Sequence, residues 1–229
     1  MGLFAPKWKS GNSRTACLAL ERMKDGEEKR SAVRTVLKED RRQEVRLAAI
    51  TSVKNDQAFL RELYETSGEE WVREKAFFFL TDREYQKEKL LAADHPRYWM
   101  IMYLPGEKDF AYALLSGRER IGAPDDRFWF ETVRIIQESY DETDRDKLLE
   151  ILRTTDSLEI IKNICQTLNF KRETDALIDL AGRGLIGPKR FFDGVMTTWD
   201  REDWIKKCAR DLLIKNGYTS PAWNEPRKA

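Results

Sequence analysis

The chain aligns with itself. "WVREKAFFFLTDREYQKEKLL" (71–91) lies on "HPRYWMIMYLPGEKDFAYALL" (95–115) without a gap at a shift of 24 residues. Arg73 falls on Arg97, Ala76 on Met100, Leu80 on Leu104, and Leu90-Leu91 on Leu114-Leu115. One unit earlier, "EVRLAAITSVKNDQAFLREL" (44–63) matches at a shift of 27, placing Val45-Arg46 on Val72-Arg73 and Ala49 on Ala76. Self-similarity at so short a period restricts a chain to architectures in which one supersecondary unit is stacked on its copies.

The unit is a helical pair. "RFWFETVRII" (127–136), "EIIKNICQTL" (159–168) and "RFFDGVMTTW" (190–199) each read as a first helix, with apolar residues at i, i+4 and i+8. "DETDRDKLLEILR" (141–153), "RETDALIDLA" (172–181) and "REDWIKKCARDLLIKNG" (201–217) read as second helices. Gly68, Pro96, Gly106, Gly122, Pro124 and Gly187-Pro188 fall where helices should start or stop. About fourteen short helices in about seven pairs are expected, with no strand. Helices of about ten residues are marginal alone in water, so each pair needs its neighbours to cover its apolar stripe. The 35% charged fraction suits much exposed helix surface.

"VRxxAxxxL" followed by a turn, an Asp or nearby polar residue and a second helix ending in Leu resembles HEAT-type repeats. The short period and the opening "MGLFAPKWKSGNSRTACLAL" look like the compact HEAT-like repeats of bacterial proteins, including those of the phycobilisome lyase type. The resemblance implies an all-α fold: a right-handed α-solenoid of about seven short hairpins. The expected organisation is a capping segment at 1–11, one continuous repeat domain at 12–217 and a tail at 218–229. Leu3, Phe4 and Trp8 at one end, and Tyr218 and Trp223 at the other, are candidate lids.

Three phenylalanines in a row, Phe77 to Phe79, cannot share one buried face. At about 100° per residue, Val72, Ala76, Phe79 and Leu80 cluster as the core stripe, Phe77 sits at its margin, and Phe78 is left over beside Glu74. The same two positions in the other units hold Leu47 and Thr51, Tyr98 and Met102, Phe130 and Arg134, Lys162 and Gln166, and Asp193 and Thr197. The resemblance places this row on the concave side. Phe78, Tyr98, Met102 and Phe130 would then form an apolar stripe rimmed by Glu74, Arg134 and Lys162. Aromatics with arginine are common anchors at protein interfaces. A partner peptide or helix gripped in that groove is the expected function, without enzymatic activity; burial of the same rings in a tightly curved core is the plainer alternative.

Other chemistry finds little footing. The net charge of +1 leaves no electrostatic footprint for nucleic acid, although it is uneven. Residues 1–46 carry +5, 47–200 carry −7 and 201–229 carry +3. HEAT-like repeats also build alkylpurine DNA glycosylases, which would use Tyr98, Trp99, Trp129 and Phe130 to stack on a base and Glu74 or Glu131 as the carboxylate. The −7 centre opposes that reading, because duplex binding draws on neutralised phosphates. "GRGLIG" (182–187) matches a phosphate-binding fingerprint, but a helical segment precedes it where a strand is required. His95 is the only histidine and no nucleophile motif accompanies it. Asp125, Asp126, Asp141, Glu142 and Asp144 read as helix-start residues. Cys17, Cys165 and Cys208 lack a CxxC spacing, so neither a metal site nor a disulfide framework is expected, and no cofactor. No apolar run is long enough to span a membrane, no signal peptide is visible, and Pro6 spoils a myristoylation motif. The expected setting is the cytoplasm, with self-association through the apolar row as a further possibility.

Overall fold

The computed structural model describes residues 6–117, 119–125, 127–155, 157–182, 190–192, 196–198 and 201–218. A 3-10 turn at Lys7–Lys9 precedes α1 (Ser13–Arg22), α2 (Glu27–Glu39), α3 (Gln43–Ser52), α4 (Gln57–Thr66), α5 (Glu70–Phe79) and α6 (Arg83–Leu91). Then follow α7 (Tyr98–Met102), α8 (Lys108–Leu115), α9 (Phe128–Glu138), α10 (Glu142–Thr154), α11 (Leu158–Phe170), α12 (Thr174–Gly182) and α13 (Arg201–Lys215). The described residues are thus all-helical save one short ribbon between α12 and α13. The chain divides into two compact units, 1–89 and 90–229.

Within the first unit, α1 packs on α3 and α3 on α5, so alternate helices lie side by side. Their partners fill the second layer: α2 against α1 and α3, and α4 against α5. The core between them holds Leu20, Ile50, Phe59, Leu60 and Phe77. The second unit repeats the pattern, with α7 on α9, α9 on α11 and α11 on α13, backed by α8 against α9 and by α10 and α12 against α11. Phe128, Ile136, Leu148, Leu152, Ile164 and Leu168 form its core. Each such side chain gains about 1.5–3 kcal/mol on burial, more than propensity gives a ten-residue helix. Among the described α-helices only α7 is as short as about one turn. Pro96 precedes it, and Pro105 biases Leu104 away from helical backbone at its other end.

Within each unit, charged side chains tie second helices to one another by one recurring device. Asp56 caps α4 by accepting from the Phe59 N–H, and the Arg30 guanidinium of α2 grips its carboxylate at 2.7 and 2.9 Å. Asp82 accepts from the Tyr85 N–H at the start of α6, and Arg61 of α4 reaches it at 2.6 Å. In the second unit Asp141 caps α10, and Lys108 of α8 meets Asp141 at 2.7 Å and Asp144 at 2.5 Å. Glu173, just before α12, accepts from the Tyr140 hydroxyl at 3.1 Å and lies 3.7 Å from Arg145. Exposed ion pairs contribute only about 0–1 kcal/mol each, so these contacts fix register more than they add stability. Asp144 differs because it is fully buried. Its carboxylate also accepts from the Tyr112 hydroxyl at 2.8 Å and the Asp141 N–H at 2.6 Å. Burial and then this bond push the Tyr112 phenol above its ordinary range.

Two expectations need correction. Phe77, expected at the margin of α5, is fully buried, its ring 5.3 Å from that of Tyr64; Phe79, expected in the core, is half-buried. Because α5 packs on α4 as well as α3, its buried face is wider and turned toward Tyr64. The segment 190–199, expected as a helix, instead pairs Arg190–Phe192 with Met196–Thr198 as antiparallel β1 and β2, Phe191 opposite Thr197. Aromatic and β-branched residues around Asp193-Gly194 carry a hairpin signal that the helical spacing obscured. Leu3, Phe4, Trp223 and Gly187-Pro188 lie outside the described residues.

Phe77→Ala should destabilise the protein by about 3–5 kcal/mol and Phe78→Ala by less than about 1 kcal/mol, read from urea midpoints. The bond from Lys108, then those from Thr143, hold the Asp141 carboxyl well below the usual carboxylate range. A depressed folded pKa contributes stability above the unfolded value of about 3.9, and that stability is lost as pH falls through the folded value. Asp141→Asn keeps the cap but not the charge. Its urea midpoint should therefore fall less steeply than wild type below about pH 4, whereas parallel acid limbs would disprove the linkage.

Candidate functional site

Phe78 is the ring left over on α5, 49% exposed, its ring centroid 4.9 Å from that of Phe79. Glu74, one turn earlier, is half-buried and joined to Lys75 at 3.0 Å, so it is no isolated rim charge. On the neighbouring helices of the same unit Leu47 of α3 and Leu18 of α1 are also exposed. The first unit therefore leaves one large apolar side chain outside on each of three successive first helices.

In the second unit Tyr98 opens α7, where its N–H donates to Asp125 Oδ2 at 2.9 Å and its ring carries the Arg127 guanidinium at 4.5 Å. Met102 ends that helix, half-buried like Tyr98. Phe130 is 45% exposed on α9. Arg134, one turn on, donates to Glu131 at 2.6 Å and pairs with Glu138; Lys162 pairs with Glu159 at 2.9 Å. The predicted rim cations are therefore present but neutralised on their own helices. Glu131 is buried, and its two oxygens accept from Arg127 and Arg134. Of the other base-stacking candidates Trp99 is buried and Trp129 half-buried.

Phe130 borders a groove of about 240 Å³ between α9 and α11. Val133 and Gln137 share its α9 wall, and Asn163, Gln166, Thr167 and Phe170 form the other. Phe170 is the most exposed large apolar residue among those described, at 67%. Sequence reasoning missed it because α11 was ended at 168, whereas the helix runs two residues further. The signal was present: Lys162, Gln166 and Phe170 stand at i, i+4 and i+8, one face of a helix. The groove thus pairs two rings with amide and hydroxyl groups, a lining suited to the apolar side chains and backbone of a peptide.

The remaining chemistry-bearing residues are dispersed. His95 Nδ1 lies 3.3 Å from the Ala123 carbonyl. The three cysteines are unbridged, and burial raises the Cys165 thiol above its ordinary range. Among the described residues no group of three His, Cys, Asp or Glu side chains could hold a metal, and no helix is long and apolar enough to cross a membrane. Gly182 ends α12; the rest of "GRGLIG" and Asp193 lie outside the described residues, and Thr197 sits in β2. In comparisons with known proteins, no family model, no curated protein and no solved structure matches the chain.

Proposed function

We propose that this chain is a non-enzymatic scaffold built as an α-solenoid of short HEAT-like hairpins, binding a helix or extended peptide of another protein on its first-helix face. The observation that carries this reading is the groove between α9 and α11, with Phe130 and Phe170 exposed on its two walls. Leaving two aromatic rings in water forgoes a large hydrophobic gain, and rings flanking a slot are the usual anchors for a partner. Side-by-side packing of alternate helices within each unit supports the solenoid, whose right hand is the one the resemblance implies. Phe78 belongs to the matching face of the first unit, and Tyr98 and Met102 to the first helix before α9. Because Arg134 and Lys162 are already paired, affinity here rests on shape and apolar contact, with little salt dependence.

Phe130→Ser/Phe170→Ser should leave the circular dichroism and urea midpoint within error of wild type while lowering capture of a co-purifying partner at least about tenfold. Equal capture by two equally folded proteins would remove the groove from the account. Loss of concentration-dependent sedimentation in the variant, without loss of a partner, would assign the rings to self-association.

A further inference from the structure

A second groove lies at the start of the first unit. The Lys7–Lys9 turn packs on α1 and, with the start of α2, encloses about 470 Å³. Trp8, Leu18 and Met23 supply its apolar lining, and Lys7, Arg22 and Glu28 its charges. Some cations elsewhere in the unit are paired within the chain. Arg30, Arg34, Arg42 and Arg46 each meet a carboxylate of the chain within 3.0 Å. Lys7, Lys9, Arg14 and Arg22 meet none among the described residues; Lys9 instead rests 5.1 Å from the Trp8 ring. Glu28 stands in the first turn of α2, where the helix dipole favours its charge without a cation.

We propose that this groove binds an acidic linear segment of another protein that carries a bulky apolar anchor. The anchor enters between Trp8, Leu18 and Met23, and carboxylates on either side meet Lys7, Lys9, Arg14 and Arg22. Charge complementarity selects this occupant. A cluster of uncompensated cations around an apolar slot raises the local concentration of acidic chains and repels basic ones, while the indole face supplies contact area. This groove shares no lining residue with the α9–α11 groove, so neither reading depends on the other.

Fluorescence anisotropy with a labelled peptide of about nine residues, a central Leu-Phe pair between Asp and Glu residues, tests the assignment. The acidic peptide should bind, and its Kd should weaken at least about tenfold as salt rises from about 50 to about 300 mM. Arg22→Glu, an exposed position that spares the fold, should weaken it at least about fivefold, and so should Trp8→Ala. Phe130→Ser should leave it unchanged. Deleting residues 2–5 should shift Kd by no more than about twofold, since a larger gain would mean the chain's own leader occupies the groove. Equal affinity for a peptide with Lys in place of each acid would overturn the proposal. So would indifference to Arg22→Glu, or no acidic-peptide binding up to about 1 mM. Concentration-dependent sedimentation abolished by Arg22→Glu, without peptide binding, would give the groove to a second copy.

Discussion

The helices of this protein are too short to stand alone. Most run from eight to thirteen residues, at or below the length at which an isolated helix becomes marginal in water. Every other feature answers that constraint. Alternate helices lie side by side so that each apolar stripe meets two neighbours, and rings such as Phe59, Phe77 and Phe128 fill the space between layers. The cap carboxylate of a second helix then receives a cation from the second helix of the preceding hairpin, as Asp56 does from Arg30, Asp82 from Arg61 and Asp141 from Lys108. One residue thereby closes a helix N-terminus and sets the spacing of two hairpins.

The same device governs the surface. In the first unit Arg30, Arg34, Arg46 and Arg61 are each spent on a carboxylate of the next hairpin. In the second unit Arg134 and Lys162 are likewise absorbed by glutamates on their own helices. What remains conspicuous is apolar: Phe78 in one unit, Phe130 and Phe170 in the other. Neutralised charge beside exposed rings favours recognition by shape, whereas unpaired cations beside Trp8 favour recognition by charge.

Much of this was legible in the sequence. Period and punctuation located the helices, and the angular argument at 72–80 correctly left Phe78 outside. It erred on Phe77 and Phe79 because a helical wheel assumes one neighbour, while α5 has two, α3 and α4. The helical spacing of 190–199 outweighed its aromatic and β-branched residues, since a three-residue strand is too short to show its alternation. Phe170 was lost to a helix end misplaced by two residues, the least certain quantity in such a reading. No composition could announce that Arg134 and Lys162 would be neutralised, because a surface pair depends on rotamers and not on spacing alone.

Interdependence of the hairpins is open to direct measurement by circular dichroism on a synthetic α3–α4 pair, residues 42–67, removed from its neighbours. The account predicts a largely unfolded peptide with a gradual, non-cooperative thermal response, because Val45, Ala49 and Leu63 lose the helices that cover them. A peptide that is predominantly helical at about 25 °C and melts cooperatively would contradict it.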